Sequence, residues 1–303
     1  MSVVFFPDLN CLMPRETATE RCGDDIYLKG SNGCTIILIH GLTGAPNEMR
    51  ALASFCNRKG YTVLCPRLAN HGASIDVLKF SRWQDFYASV RSAFLSLPLE
   101  EKKDVFVAGL SMGSLLSLLL VDEFPEEIKA VSCLAPTLFY DGWNTTGLKF
   151  LLPLVYRLPI KYMFYFKEEM PYGVKNKAIQ ERVRSYYGNA SLHDVDGVAE
   201  HGYAYFPISL LYQLHLLVRH LMQRLPNIKV PVQLIHAKDD DVASVKNSTC
   251  IYDKIGSDVK EMVFLYNSHH VITADQERGV VAMKMEAFFN RFRVLNNEKK
   301  IGC

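Results

Sequence analysis

The chain has 303 residues, 49% of them hydrophobic and 22% charged, with a formal net charge of +2 at pH 7. This composition excludes a disordered chain, and so even a charge balance, with no dense Lys/Arg cluster, gives no ground for nucleic-acid binding. The length fits one large domain with an insertion, or two domains.

In chain order, the start "MSVVFFPDLN" lacks a basic flank, and its apolar run is too short for a signal peptide. "TIILIH" (35–40) is a β-rich run, followed by a helical spacing over 47–60 that stops on glycine. "YTVLCPR" (61–67) is the next predicted strand. Over 82–98 the residues Trp83, Phe86, Tyr87, Val90, Phe94 and Leu97 recur on one helical face. A strand over 104–110, a helix over 112–124 and a strand over 128–136 continue the alternation. After about ninety residues it resumes with a strand (230–237), a helix (245–255), a strand (261–266) and a helix (274–293). Near-continuous apolar strands alternating with helices predict an α/β fold, its mostly parallel central sheet covered by helices on both faces.

The expected division is a core made of 1–136 and 230–303, with 137–229 inserted as a helical cap, or lid. The insertion is rich in leucine and aromatics. Lys149, Pro153, Arg157, Pro159 and Lys161 interrupt its first apolar run too often for a membrane span. Short helices with one apolar face are expected, packed on the core or lining a pocket. The 148–166 stretch is a candidate for peripheral membrane contact. Eight scattered cysteines, with no CxxC pair, predict free thiols in a reducing cytoplasm and no zinc site. The terminal "KKIGC" lacks the spacing of a prenylation box around Cys303.

Gly109-Leu110-Ser111-Met112-Gly113 reads GxSxG between a predicted strand and a predicted helix. A sharp turn there strains the serine backbone and demands small neighbours, while the helix N-terminus favours developing negative charge. A serine hydroxyl needs a base, and the base an orienting acid, in the chain order Ser, acid, His. Strand 230–237 runs into Asp239, Asp240 and Asp241, and strand 261–266 runs towards His269 and His270. Asp240 and His270 are preferred, with Asp239 and Asp241 read as surface or turn-forming residues. "HGLTGAP" (40–46) supplies a glycine loop whose Leu42 N–H pairs with that of Met112 as oxyanion donors. It lacks the Lys-Ser/Thr of a phosphate loop. His71 is read as a loop-shaping or pocket-rim residue, and Trp83 as core. His201, Tyr203 and Tyr205 are read as solvent-facing or core residues rather than ligand contacts.

The motifs "HGLTG", "NHGAS", "WQD", "GLSMGS", "KDDD" and "HHVITADQE" together resemble the α/β-hydrolase superfamily, in particular bacterial carboxylesterases related to monoacylglycerol lipases. The resemblance covers about 35–136 and 230–293. It implies Ser111 as nucleophile, His270 as base, Asp240 as its carboxylate, and Leu42 and Met112 as oxyanion donors. Ser114, Asn70 and His269 stand where that pattern has glycine. The implied activity is hydrolysis of small-molecule acyl esters, lipid-like or of medium-to-long chain such as monoacylglycerols, with no metal or organic cofactor. A thioesterase or carbon–carbon bond hydrolase would use the same triad. A non-catalytic binding protein on this scaffold would show no turnover. The sequence leaves oligomeric state open.

Overall fold

The structure is a computed structural model and describes residues 2–5, 25–145, 152–188, 190–192 and 197–293. Cys11, Cys22 and Cys303 lie outside the described residues, as does the start of the 148–166 stretch. In chain order the elements begin with β1 (Ser2–Phe5), β2 (Ile26–Leu28), β3 (Cys34–Ile39), α1 (Arg50–Arg58) and β4 (Thr62–Cys65). Next come the one-turn α2 (Ile75–Leu78), α3 (Trp83–Leu95), β5 (Asp104–Leu110), α4 (Met112–Glu123) and β6 (Ile128–Leu134). Then follow α5 (Leu152–Val155), β7 (Phe164–Lys167), α6 (Lys177–Tyr187), α7 (Val198–His201), β8 (Tyr205–Pro207) and α8 (Ile208–Met222). The described elements close with β9 (Val232–Ala237), α9 (Lys246–Lys254), β10 (Lys260–Leu265) and α10 (Arg278–Asn290).

Seven strands form one sheet in the order β10-β9-β6-β5-β3-β4-β2. All neighbours are parallel except β2, which runs antiparallel to β4 at the edge. Successive side chains of a strand point to opposite faces. Ile37, Ile39, Val105 and Val107 therefore join one buried core with α3, α4, α8 and α9. Ile36, Leu38, Phe106 and Ala108 join the other with α1 and α10. Both faces being covered explains why these strands read as unbroken apolar runs. The mostly parallel sheet covered on both sides is as the sequence predicts.

Helix α4 is buried from Met112 to Val121 because α3 and α8 lie against it. A helix covered all round needs no polar face, hence "LLSLLL". On α3, Phe86, Val90, Phe94 and the following Leu97 are buried, while Trp83 and Tyr87 pack half-buried against that core.

The segment between β6 and β9 differs from the expected set of short helices. It contributes β7 and β8, which form a three-stranded antiparallel sheet with β1. The consecutive aromatics of "FYF" and "YF" have high strand preference. Tyr165, Phe166 and Phe206 are buried there. α8 packs on α4 and shares its core through Leu210, Leu214, Leu217 and Leu221. Leu154 and Leu158 are exposed. Among the described residues, no helix is long and apolar enough to cross a membrane.

Candidate active site

Ser111 sits where β5 ends and α4 begins, with φ 56° and ψ −119°. That left-handed backbone is costly for a residue with a Cβ, of order 1–3 kcal/mol, and the surrounding packing enforces it. A Cβ on Gly109 would lie 2.1 Å from the Gly113 carbonyl oxygen, and one on Gly113 would lie 2.3 Å from that of Ile39. Both flanking positions therefore exclude side chains. Ser114 is accommodated because its buried hydroxyl is satisfied, lying 2.6 Å from the Gly109 carbonyl and 3.1 Å from that of Leu134. Asn70 adopts φ 61°, a left-handed conformation asparagine accepts more readily than most residues, and its side chain bonds the Ser81 hydroxyl.

The structure brings Ser111, His270 and Asp240 together from three strand ends. Ser111 Oγ is 3.0 Å from His270 Nε2, and His270 Nδ1 donates to Asp240 Oδ2 at 2.8 Å. Asp240 Oδ1 accepts from the backbone of Val242 and Ala243. His236, on β9, adds a further donor: its Nε2 lies 3.2 Å from Asp240 Oδ2 and 2.8 Å from the Ala243 carbonyl. Its Nδ1 accepts from the Ser248 hydroxyl. Burial alone would raise the Asp240 pKa, but His270 and His236 outweigh it and hold the carboxyl well below the usual range. Burial would likewise depress His270, yet Asp240, with Asp241 and Glu48 adding, raises it above 6.5. A raised pKa makes the imidazole a stronger proton acceptor when it is neutral.

Ser111 Oγ also lies 3.0 Å from Thr137 Oγ1, a second partner that fixes its rotamer. The backbone N–H groups of Leu42 and Met112 have no acceptor among the described residues. Around them, His40 Nδ1 donates to the Gly41 carbonyl while its Nε2 accepts from the Leu68 N–H. His71 donates from Nε2 to the Leu42 carbonyl at 2.7 Å. Burial keeps both rings neutral, lowering His71 to about 4. His71 thus shapes the glycine loop from beneath.

Of the neighbours, Asp239 and Tyr203 keep to the sequence reading, as a surface and a core residue, while Asp241 and His201 depart from it. Asp241 is buried rather than on the surface, and its carboxylate accepts the His270 N–H at 3.3 Å. Asp239 is half exposed and pairs with Lys175. His269 donates to the Asp239 carbonyl and its ring meets Trp143. Tyr203 is buried, its hydroxyl bonding the 70–73 loop. His201 lines the cavity at Ser111 instead of facing solvent or core. The sequence reading missed His236, Thr137, Glu48 and Glu168. His236 was visible as a polar residue in an apolar strand, four positions before Asp240.

A cavity of about 220 Å³ opens on Ser111 and His270. Leu42, Leu110, Val174, Phe206 and Val271 give it apolar walls, and Glu48 and Glu168 line it too. Among the described residues no cluster of His, Cys, Asp or Glu is arranged to hold a metal ion. Cys34, Cys56, Cys65, Cys133 and Cys250 are free thiols.

Residues 31–277 match the family described as Hydrolase_4, serine aminopeptidase, S33. A thermostable monoacylglycerol lipase of Bacillus sp. (strain H-257) is 28% identical over 257 residues, covering 84% of this chain and 89% of that protein. A carboxylesterase of Bacillus subtilis (strain 168) is 24% identical, covering 84% of this chain and 92% of that protein. A solved structure from work on LipS and LipT, two metagenome-derived lipolytic enzymes, superimposes with a TM-score of 0.67 at 26% identity. It covers 90% of this chain and all of that one. The fold is that of the α/β-hydrolases.

Proposed function

The chain belongs to the Hydrolase_4 family (serine aminopeptidase, S33), and from that premise we propose that it hydrolyses carboxylic esters through an acyl-enzyme on Ser111. The observation that carries this reading is the unbroken hydrogen-bond chain Asp240–His270–Ser111 at the mouth of a largely apolar cavity. Substrate enters with its carbonyl carbon over Ser111 Oγ. His270 Nε2 takes the hydroxyl proton as Oγ attacks, and Asp240 stabilises the imidazolium that forms. The carbonyl oxygen becomes an oxyanion held by the N–H groups of Leu42 and Met112. Collapse breaks the ester C–O bond, and His270 returns the proton to the departing alcohol. Water, deprotonated by His270, then attacks the acyl-enzyme; the acyl C–Oγ bond breaks, His270 returns the proton to Ser111 Oγ and the acid leaves.

The apolar walls suit an acyl chain, which agrees with lipid-like substrates of the kind named for the monoacylglycerol lipase relative. The cap in this reading is the part of 137–229 that precedes α8, since the stretch after β7, α6, α7 and β8 carry residues that line the cavity at Ser111. α8 serves as a core layer.

The test is hydrolysis of p-nitrophenyl acyl esters together with labelling by a fluorophosphonate. Ser111→Ala is expected to lose labelling and to cut kcat by roughly 10⁴–10⁶-fold, with the fold kept by circular dichroism. Wild-type turnover in that variant would remove Ser111 from the mechanism.

A further inference from the structure

One polar group at Ser111 has no part in the triad. Thr137 Oγ1 lies 3.0 Å from Ser111 Oγ, the same distance as His270 Nε2. Thr137 is fully buried and does not line the cavity, so its hydroxyl touches Ser111 from behind the substrate. Two features hold it there. Ala135, just past the end of β6, adopts φ 43°, a left-handed conformation that residues with a Cβ rarely take. Residues kept in such strained conformations cluster at active sites. On the other side, the buried Asn247 of α9 accepts the N–H groups of Leu138 and Phe139 at 2.8 and 2.9 Å.

The direction of the Ser111–Thr137 bond follows from the protons available. His270 donates from Nδ1 to Asp240, so Nε2 of the neutral ring is an acceptor. The single hydroxyl proton of Ser111 goes to that Nε2. Ser111 Oγ therefore meets Thr137 as an acceptor, and Thr137 is the donor. The Ala135 carbonyl is its alternative acceptor, at a longer 3.3 Å.

We propose that Thr137 is a catalytic residue, donating a hydrogen bond to Ser111 Oγ as that atom leaves the acyl group. The proposal rests on the ester-hydrolase reading above and adds a group to its second half. In the free enzyme Oγ is a neutral hydroxyl that already accepts from Thr137. In the acyl-enzyme Oγ is an ester oxygen, a poor acceptor, and the Thr137 proton turns to the Ala135 carbonyl. When the hydrolytic intermediate collapses, the acyl C–Oγ bond breaks and its electron pair passes to Oγ. His270 delivers its proton to that oxygen, and Thr137 hydrogen-bonds it while the charge builds. An interaction stronger in the transition state than in the state before it speeds that step. The gain is thus large for deacylation and small for acylation, where the bond exists beforehand.

Stopped-flow release of p-nitrophenol from a p-nitrophenyl ester reads both steps. The good leaving group makes acylation the faster one, so kcat reports deacylation. In Thr137→Val, kcat is expected to fall about tenfold or more, as loss of a hydrogen bond to a charged atom gives. The acylation-limited kcat/KM should stay within about twofold of wild type. Acyl-enzyme should then accumulate, seen as a burst equal to the enzyme present and as acyl mass on Ser111 after acid quench. Thr137→Ser keeps the donor and should keep kcat. Thr137→Ala removes the hydroxyl without a second methyl and gives the same readout should valine pack badly. Equal falls in kcat and kcat/KM, with no acyl-enzyme accumulating, would leave Thr137 a rotamer support and overturn the proposal. Unchanged deacylation in the variants lacking the hydroxyl would overturn it too, with the hydrolase reading intact. Absence of any acyl-enzyme in the wild type would sink that reading, and the inference with it.

Discussion

Asp240 Oδ2 is the atom on which two imidazoles converge, His270 from the loop after β10 and His236 from β9. The Ser248 hydroxyl donates to His236 Nδ1, which leaves the His236 proton on Nε2, facing Asp240 and the Ala243 carbonyl. His236 is thereby a donor that shares the carboxylate charge and acts on Ser111 only through its neighbours, as a positioning residue. His236→Phe keeps the ring and removes both nitrogens. Asp240 then offers more of its charge to His270, so the imidazolium is favoured and the acid limb of the kcat/KM–pH profile should move to higher pH. The Ser248 hydroxyl and Ala243 carbonyl lose partners in the core, costing about 1–3 kcal/mol by urea unfolding. A loss of stability with the limb unmoved would assign His236 to packing alone. Thr137 pairs with the Ser111 hydroxyl, and nothing in "LAPT" distinguishes it in sequence, because that contact exists only once β6 lies beside β5.

At the scale of elements, the turn from β5 to α4 sets the position of Ser111, and its tightness is measurable. Gly113→Ala puts a methyl against the Ile39 and His40 carbonyls, which belong to the neighbouring backbone and cannot swing aside. α4 must back away from β3, at a cost of about 1–3 kcal/mol or more. The Met112 N–H at its first turn moves with it. Thermal melting should show the loss, and p-nitrophenyl ester turnover should fall by more than tenfold, as expected when one oxyanion donor is displaced. A variant of normal stability and turnover would mean the turn is looser than its contacts imply. This turn was readable in sequence because steric exclusion writes itself locally, in two glycines four residues apart. The buried parallel strands were readable for a related reason, since covering both faces leaves an apolar run. β2 and the β1-β7-β8 sheet were not. β2 is three residues long, and β1 pairs with β7 across more than 150 residues of chain, in the register Ser2 to Lys167. Such pairing leaves no local periodicity to detect. Nor did spacing alone order the acids of "KDDD", where a single step decides whether a carboxylate faces His270 Nδ1, as Asp240 does, or the His270 N–H, as Asp241 does.

Taken over the whole molecule, the site gathers Asp240, Asp241, Glu48 and Glu168 within electrostatic range of one another or of His270. Concentrating like charge there carries a stability penalty that pH should expose. Glu48 and Glu168 both bind their protons more tightly folded than unfolded, titrating at about 7 against an ordinary 4.5. Between those values the native state holds more protons than the unfolded chain, so stability falls as pH rises through that window. Asp240 acts in the opposite sense, with a lowered pKa whose stabilisation is complete above about 3.9 and is lost only in acid. Its contribution is therefore constant across the window where the glutamates act. Glu168→Gln should accordingly leave Tm little changed at pH 5, where the wild-type carboxyl is already protonated when folded, and raise it at pH 8. Glu48→Gln should do the same with a smaller gain, because it leaves the Gly41 N–H a weaker acceptor. The same substitution removes a negative charge that favours the His270 imidazolium, so activity on a neutral ester should persist to lower pH than in the wild type. Differential scanning calorimetry across pH 5–8, run beside the pH–rate profile, reads both effects in one set of variants. A Tm difference independent of pH would show that these carboxyls ionise as they do in water.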